Sequence, residues 1–218
     1  MYIDKQSVEY IMYQRTGYSK ILNSLFYRVF QKISPISFYD NIVRFESKYF
    51  PEKIKLAYEL DMKNEYSSIS KFLPEKCNSI LDIGCGIAGV NIFLNNHFND
   101  QAPMFYLLDK EEKNEYIYYG FYAEAAFYNS LELAKSTLIK NGVNEKKIKT
   151  IFARDDNEIR IDSKVDFVIS LISWGFHYPV EVYLDKVYEL LNKNGSVIID
   201  LRKNTEGFEI VKDKFKDI

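Results

Sequence analysis

The segment Ile80-Leu81-Asp82-Ile83-Gly84-Cys85-Gly86-Ile87-Ala88-Gly89 restricts this chain more than any other. A short apolar run that enters a glycine turn reads as a buried strand opening a helix. Glycine there lets the backbone take left-handed conformations and lets a ligand come close, with backbone N–H groups of the helix start pointing at it. Gly84, Gly86 and Gly89 also satisfy the dinucleotide pattern G-x-G-x-x-G, and such glycines equally serve turn geometry alone, so by themselves they leave the ligand open. Asp82, two residues before the first glycine, narrows the choice. A pyrophosphate on a helix N-terminus gains nothing from a neighbouring carboxylate, whereas a ligand with a cationic amino-acid tail does.

Around this turn the pattern alternates. Strands are expected over Ser79–Ile83, over Met104–Leu108 ending at Asp109, over Ile148–Phe152, over Val165–Ile172 and over Ser196–Leu201. Helices are expected over Val90–His97, over Leu131–Ile139 stopped at Asn141-Gly142, and over Val182–Leu191 ended by Asn194-Gly195. Alternating strands and helices imply an α/β, doubly wound, mostly parallel sheet covered on both faces, with right-handed crossovers and the order 3-2-1-4-5. Ligands then bind beyond the strand C-termini, where the order reverses between strands one and four.

Before Pro74 the chain reads as helical throughout. Val8, Ile11 and Met12 share one helical face, and Ile21, Leu22, Leu25, Phe26, Val29 and Phe30 continue at spacings of three and four. Ile54, Leu56, Ala57 and Leu60 imply a further amphipathic helix, and Ile69 and Phe72 a last short one, with Pro35 and Pro51 as punctuation. The expected organisation is a helical lid over residues 1–75 and a core over 76–218.

The 218 residues are 47% hydrophobic with a net charge of −2, enough for a sizeable core and without the concentrated positive field of a nucleic-acid surface. Cys77 and Cys85 lack metal-ligand spacing with His97 or His177, and Asp155, Asp156 and Asn157 are contiguous rather than spread, so no metal is expected. The start of the chain lacks a basic segment followed by an apolar one, and no run approaches the roughly 20 apolar residues that cross a bilayer. A cytoplasmic protein without membrane or nucleic-acid partners is the expectation.

These features resemble the class I S-adenosylmethionine-dependent methyltransferases, with their Rossmann-like fold, over about residues 76–203. The resemblance rests on Leu81-Asp82-Ile83-Gly84-Cys85-Gly86, on the acidic strand end at Asp109, and on Leu190-Leu191-Asn192-Lys193-Asn194-Gly195-Ser196-Val197-Ile198-Ile199. Ala88 stands where the family pattern D-x-G-x-G-x-G has its final glycine. The family usually ends in an antiparallel pair of strands, and only residues 202–218 follow strand five here. Strand five is therefore expected as an exposed edge, covered by another chain such as a second copy, unless the sequence is shortened. A tyrosine-rich stretch, residues 111–128, is an extra feature expected to build part of a substrate pocket.

The resemblance implies S-adenosylmethionine as cofactor and gives roles to residues. Gly84 and Gly86 contact its methionine part, Cys85 packs or offers backbone within the turn, and Asp82 orients the ammonium group. Asp109, with Lys110 beside it, accepts the ribose hydroxyls, because a carboxylate offers two acceptor oxygens. Asp155 or Asp156 takes the adenine amino group, and Leu171 and Ile172 wall the sulfonium. His177, in the turn Ser173–Pro179, is the candidate base, since its ordinary pKa lies near 6.5. Trp174 and Tyr178 flank it and shape the acceptor site. In the helical lid, Tyr13 and Tyr18 bound a polar-aromatic patch around Arg15, which pairs with the cofactor carboxylate or an anionic acceptor, or else is simply exposed.

The string Ile172-Ser173-Trp174-Gly175-Phe176-His177-Tyr178-Pro179 is similar to methyltransferases of surface-polysaccharide biosynthesis. It implies O-methylation of a small acceptor, a sugar or a phosphoramidate or phosphoryl precursor of a capsule. An anionic acceptor needs positive contacts, for which Arg15, Arg44 and Lys20 are available. Two rivals remain: an NAD-dependent oxidoreductase using the same glycines, and a cofactor-binding partner subunit without catalysis.

Overall fold

The computed structural model describes residues 1–21, 37–111 and 129–215, and elements are numbered in chain order among these. The strands are β1 (Ser79–Ile83), β2 (Met104–Asp109), β3 (Ile148–Phe152), β4 (Val165–Ser170) and β5 (Leu191–Ile199). They form one sheet, ordered β3-β2-β1-β4-β5, with every pairing parallel. The expected fold class and strand order are thus observed.

Both faces of the sheet are covered, which is why its central strands are apolar at successive positions. Ile80, Phe105, Leu107, Phe167 and Ile169 face α4 (Gly89–His97) and α5 (Leu131–Lys140). Leu81, Ile83, Tyr106, Leu108 and Val168 face α6 (Glu181–Leu190) and Val211 of α7 (Gly207–Lys214). Helix α5 starts where Ser130 Oγ accepts the Leu133 N–H at 3.3 Å, a side-chain cap on an otherwise orphaned donor.

The amino-terminal helices are α1 (Ser7–Gln14), a 3₁₀ turn (Thr16–Tyr18), α2 (Ser37–Tyr49) and α3 (Pro51–Ile69). Val8, Ile11 and Met12 are all buried, as their spacing implies. They join Ile42, Val43, Ile54, Tyr58 and Met62 in a separate core that rests on Ile87 of the glycine segment and Val90 of α4. Leu22, Leu25, Phe26, Val29 and Phe30 lie outside the described residues, as does the tyrosine-rich stretch from 112 to 128.

Three local expectations are corrected. Helix α3 buries Ile54, Tyr58, Met62 and Ile69, while Leu56 and Leu60 are exposed. Spacings of four, four and seven keep one face, whereas a step of two turns a side chain by about 200°. Strand β4 stops at Ser170, before Ile172 turns to a left-handed φ of 56°. Strand β5 begins directly after α6, and the Asn194-Gly195 turn becomes an irregularity inside the ladder: Val165 pairs with Leu191, but Phe167 already pairs with Ser196.

Candidate functional site

A cavity of about 570 Å³ opens beyond the C-terminal ends of β1, β2 and β4, at the point where the strand order reverses. Its floor is the glycine turn. Gly84 and Cys85 both donate their N–H to Leu108 O, at 2.7 and 3.3 Å, which bends the chain back over β2. Gly84 has φ +78° and Gly86 has φ +54°, a region that strains any side chain. A Cβ on Gly84 would also overlap Ser173 Oγ, so the turns after β1 and β4 interlock there. Ala88 takes the left-handed conformation as well, φ 61°, at the N-cap of α4. An alanine in this conformation costs about 1–2 kcal/mol that a glycine would not.

Two carboxylates stand over this floor. Asp82 is 3% exposed, and its Oδ2 accepts Asn91 Nδ2 at 2.5 Å. Its other oxygen has no hydrogen-bond partner among the described residues. Burial pushes Asp82 up to about 7, opposed by Asn91 and reinforced by the charges of Asp109 and Glu65. Asp109 ends β2 and pins the turn. Its Oδ2 accepts Gly86 N–H and its Oδ1 accepts Lys110 N–H, both at 2.8 Å. Burial lifts it to about 6 against these donors. Each of its oxygens keeps a second lone pair for a ligand hydroxyl.

The wall after β4 is a tight turn. Phe176, His177 and Tyr178 all donate backbone N–H groups to Ser173 O, at 3.0, 2.8 and 3.1 Å. Ser170 Oγ ties the start of the turn to Ile83 O at 2.7 Å and accepts Trp174 N–H at 3.0 Å. Ile172 N–H is taken by Asp200 Oδ2 at 3.0 Å, which fixes its left-handed backbone at the cavity edge. His177 stands at the mouth with its ring edge-on to Phe176, and no side chain among the described residues hydrogen-bonds the imidazole. Burial, then the charge of Arg202, hold it below its ordinary 6.5.

The cavity lining brings together Asp82, Gly84, Cys85, Gly86, Asp109, Lys110, Asp155, Leu171, Ile172, Arg15, Tyr13, Trp174, His177 and Tyr178. Trp174 touches it only marginally: the ring is 1% exposed and its Nε1 donates to Val180 O at 2.7 Å. Asp156 and Tyr18 are not in the lining. Asp156 pairs with Arg160 at 2.7 Å, and Tyr18 donates to Asp61 Oδ2 at 2.5 Å. Asp155 faces Lys110 Nζ at 3.0 Å. The Tyr178 hydroxyl donates to Asn157 Oδ1 at 2.9 Å, joining the turns after β3 and β4.

Sequence reasoning missed Tyr58, Met62, Glu65, Asn91, Asn129, Asn157 and Tyr183. All but Asn91 line the cavity, and Asn91 supports Asp82 from behind. The i, i+4, i+7 spacing of Tyr58, Met62 and Glu65 puts them on one face of α3, a signal the sequence does contain.

No family model matches the chain, and no curated protein matches it. Solved structures do resemble it. Precorrin-6y C5,15-methyltransferase from Geobacter metallireducens is 18% identical, with 68% of this chain and 67% of that one covered and a TM-score of 0.48. An amino pentose methyltransferase from Micromonospora echinaspora, involved in calicheamicin biosynthesis, is 11% identical, with 66% and 51% covered and a TM-score of 0.41. Coclaurine N-methyltransferase is 14% identical, with 89% and 48% covered and a TM-score of 0.43. The chain spans about half the length of the last two.

Proposed function

We propose that the chain is an S-adenosylmethionine-dependent O-methyltransferase acting on a small molecule, a sugar or a phosphoryl or phosphoramidate precursor of a surface polysaccharide. One observation carries the reading: Asp82 and Asp109 flank a left-handed glycine turn at the switch point of a 3-2-1-4-5 sheet. When bound, S-adenosylmethionine supplies a methyl group activated on a cationic sulfur.

The residues present fit that molecule. The cavity lies within the range of roughly 300–1,000 Å³ usual for such ligands. Asp82 turns an unengaged oxygen to the ammonium group, and Asp109 has lone pairs left for two ribose hydroxyls. Ala153, Asp155 and Asn157 offer an adenine end, with Tyr178 and Tyr183 beside it. A pyrophosphate would meet two carboxylates instead of a cradle of donors, which disfavours a nicotinamide nucleotide.

His177 then removes the proton of the acceptor hydroxyl. Its lowered pKa keeps the imidazole neutral and able to accept at pH 7. The remaining contribution is alignment of acceptor oxygen, methyl and sulfur, aided by exclusion of water under α1 and α3. Of the cations named for an anionic acceptor, Arg44 and Lys20 lie outside the cavity lining and Arg15 lies in it, together with Lys110 and Arg154. Isothermal titration against S-adenosylhomocysteine and NADH tests the cofactor, and labelled methyl transfer to capsule-precursor extracts tests the acceptor. The proposal expects binding of the first ligand only, and NADH binding alone would overturn it.

A further inference from the structure

We infer that Glu65, on α3, is a second carboxylate for the ammonium group of the cofactor's amino-acid tail, with Arg15 beside it taking the tail's carboxylate. The inference rests on the methyltransferase reading and extends cofactor binding from the sheet to the amino-terminal helices.

Arg15 follows α1 and reaches across to α3. Its Nη1 meets Asp61 Oδ2 at 2.6 Å and its Nη2 meets Glu65 Oε1 at 2.5 Å. Asp61 is outside the cavity lining, whereas Arg15 and Glu65 are both in it. Glu65 is 18% exposed, and among the described residues its Oε2 has no hydrogen-bond partner. Glu65 from α3 and Asp82 from β1 both line the same cavity. Within the lining, Arg15 and Glu65 thus present one positive and one negative group beside the buried Asp82. A zwitterionic end with an adjacent sulfonium answers each of these groups. Its ammonium meets Glu65 and Asp82, and its carboxylate meets the guanidinium, which has donors to spare.

The test compares S-adenosylhomocysteine with 5′-methylthioadenosine, which lacks the amino-acid tail, by isothermal titration on the full chain. Glu65→Gln is expected to weaken S-adenosylhomocysteine about tenfold and leave 5′-methylthioadenosine unchanged. The unchanged ligand also reports that the variant is folded. Asp61→Asn is expected to alter the ratio of the two affinities far less. Equal loss for both ligands, no loss for either, or an Asp61→Asn effect matching that of Glu65→Gln would each overturn the inference. If wild-type protein binds neither adenosyl ligand, the methyltransferase reading itself has failed.

Discussion

Asn91 Nδ2 donates to Asp82 Oδ2 at 2.5 Å, with Asn91 fully buried and Asp82 nearly so. The first helix after the glycine turn therefore holds the carboxylate that precedes the turn. Replacing Asn91 by Leu removes a donor from a buried group that is partly ionised at neutral pH. The expected loss is about 2 kcal/mol of unfolding free energy at pH 8 and clearly less at pH 5, where Asp82 is protonated. Denaturant titrations at the two pH values check this, and equal losses would mean that Asn91 does not serve the ionised form.

The pH dependence follows from the raised carboxyls. Asp82 at about 7 and Asp109 at about 6 both exceed the unfolded carboxyl value of about 3.9. The folded state thus holds protons that the unfolded chain has lost. Their contribution to stability is complete below about pH 4 and disappears as pH rises through 6 to 7. Asp82→Asn should flatten that part of the profile. A cationic ligand favours the ionised carboxylate, so S-adenosylmethionine should bind more tightly from pH 6 to pH 8 and release protons. Binding heats that do not change with buffer ionisation enthalpy would rule this out.

Gly84→Ala meets two obstacles at once, a backbone φ of +78° and overlap with Ser173 Oγ. The combined cost is expected at about 3 kcal/mol. The double variant Gly84→Ala/Ser173→Gly should recover the overlap part and keep the conformational part. A thermal melt of the double variant matching that of the single one would show that the interlock with Ser173 carries no energy.

His177→Ala is expected to lower methyl transfer by about a hundredfold to ten-thousandfold and leave S-adenosylhomocysteine affinity unchanged. In the wild type the rate should rise with pH along a limb whose midpoint lies below 6.5, since burial and Arg202 both disfavour the imidazolium. Label transferred at the same rate by the variant would remove His177 from the base role.

Much of the α/β frame was legible because local spacing encodes it. The Ile80–Ile83 run, the glycines after it, and the breaks at Asn141-Gly142 and Pro74 each express a backbone preference that acts within a few residues. The misread cases show the limit. Leu56 and Leu60 look like a core face until α3 is seen to bury the face of Ile54, Tyr58 and Met62 instead. Nothing near Asn194-Gly195 announces that the strand has already begun at Leu191, because pairing with Val165 comes from a distant segment.

The sequence by itself determined the parallel sheet, its order and the carboxylate-flanked glycine turn, since right-handed crossovers and turn stereochemistry leave few alternatives. Only the tertiary structure decided which side chains meet there. Glu65 reaches Arg15, Tyr178 reaches Asn157, and Asn91 reaches Asp82 through the packing of whole faces. That packing is set by buried area summed over many residues rather than by any pattern along the chain.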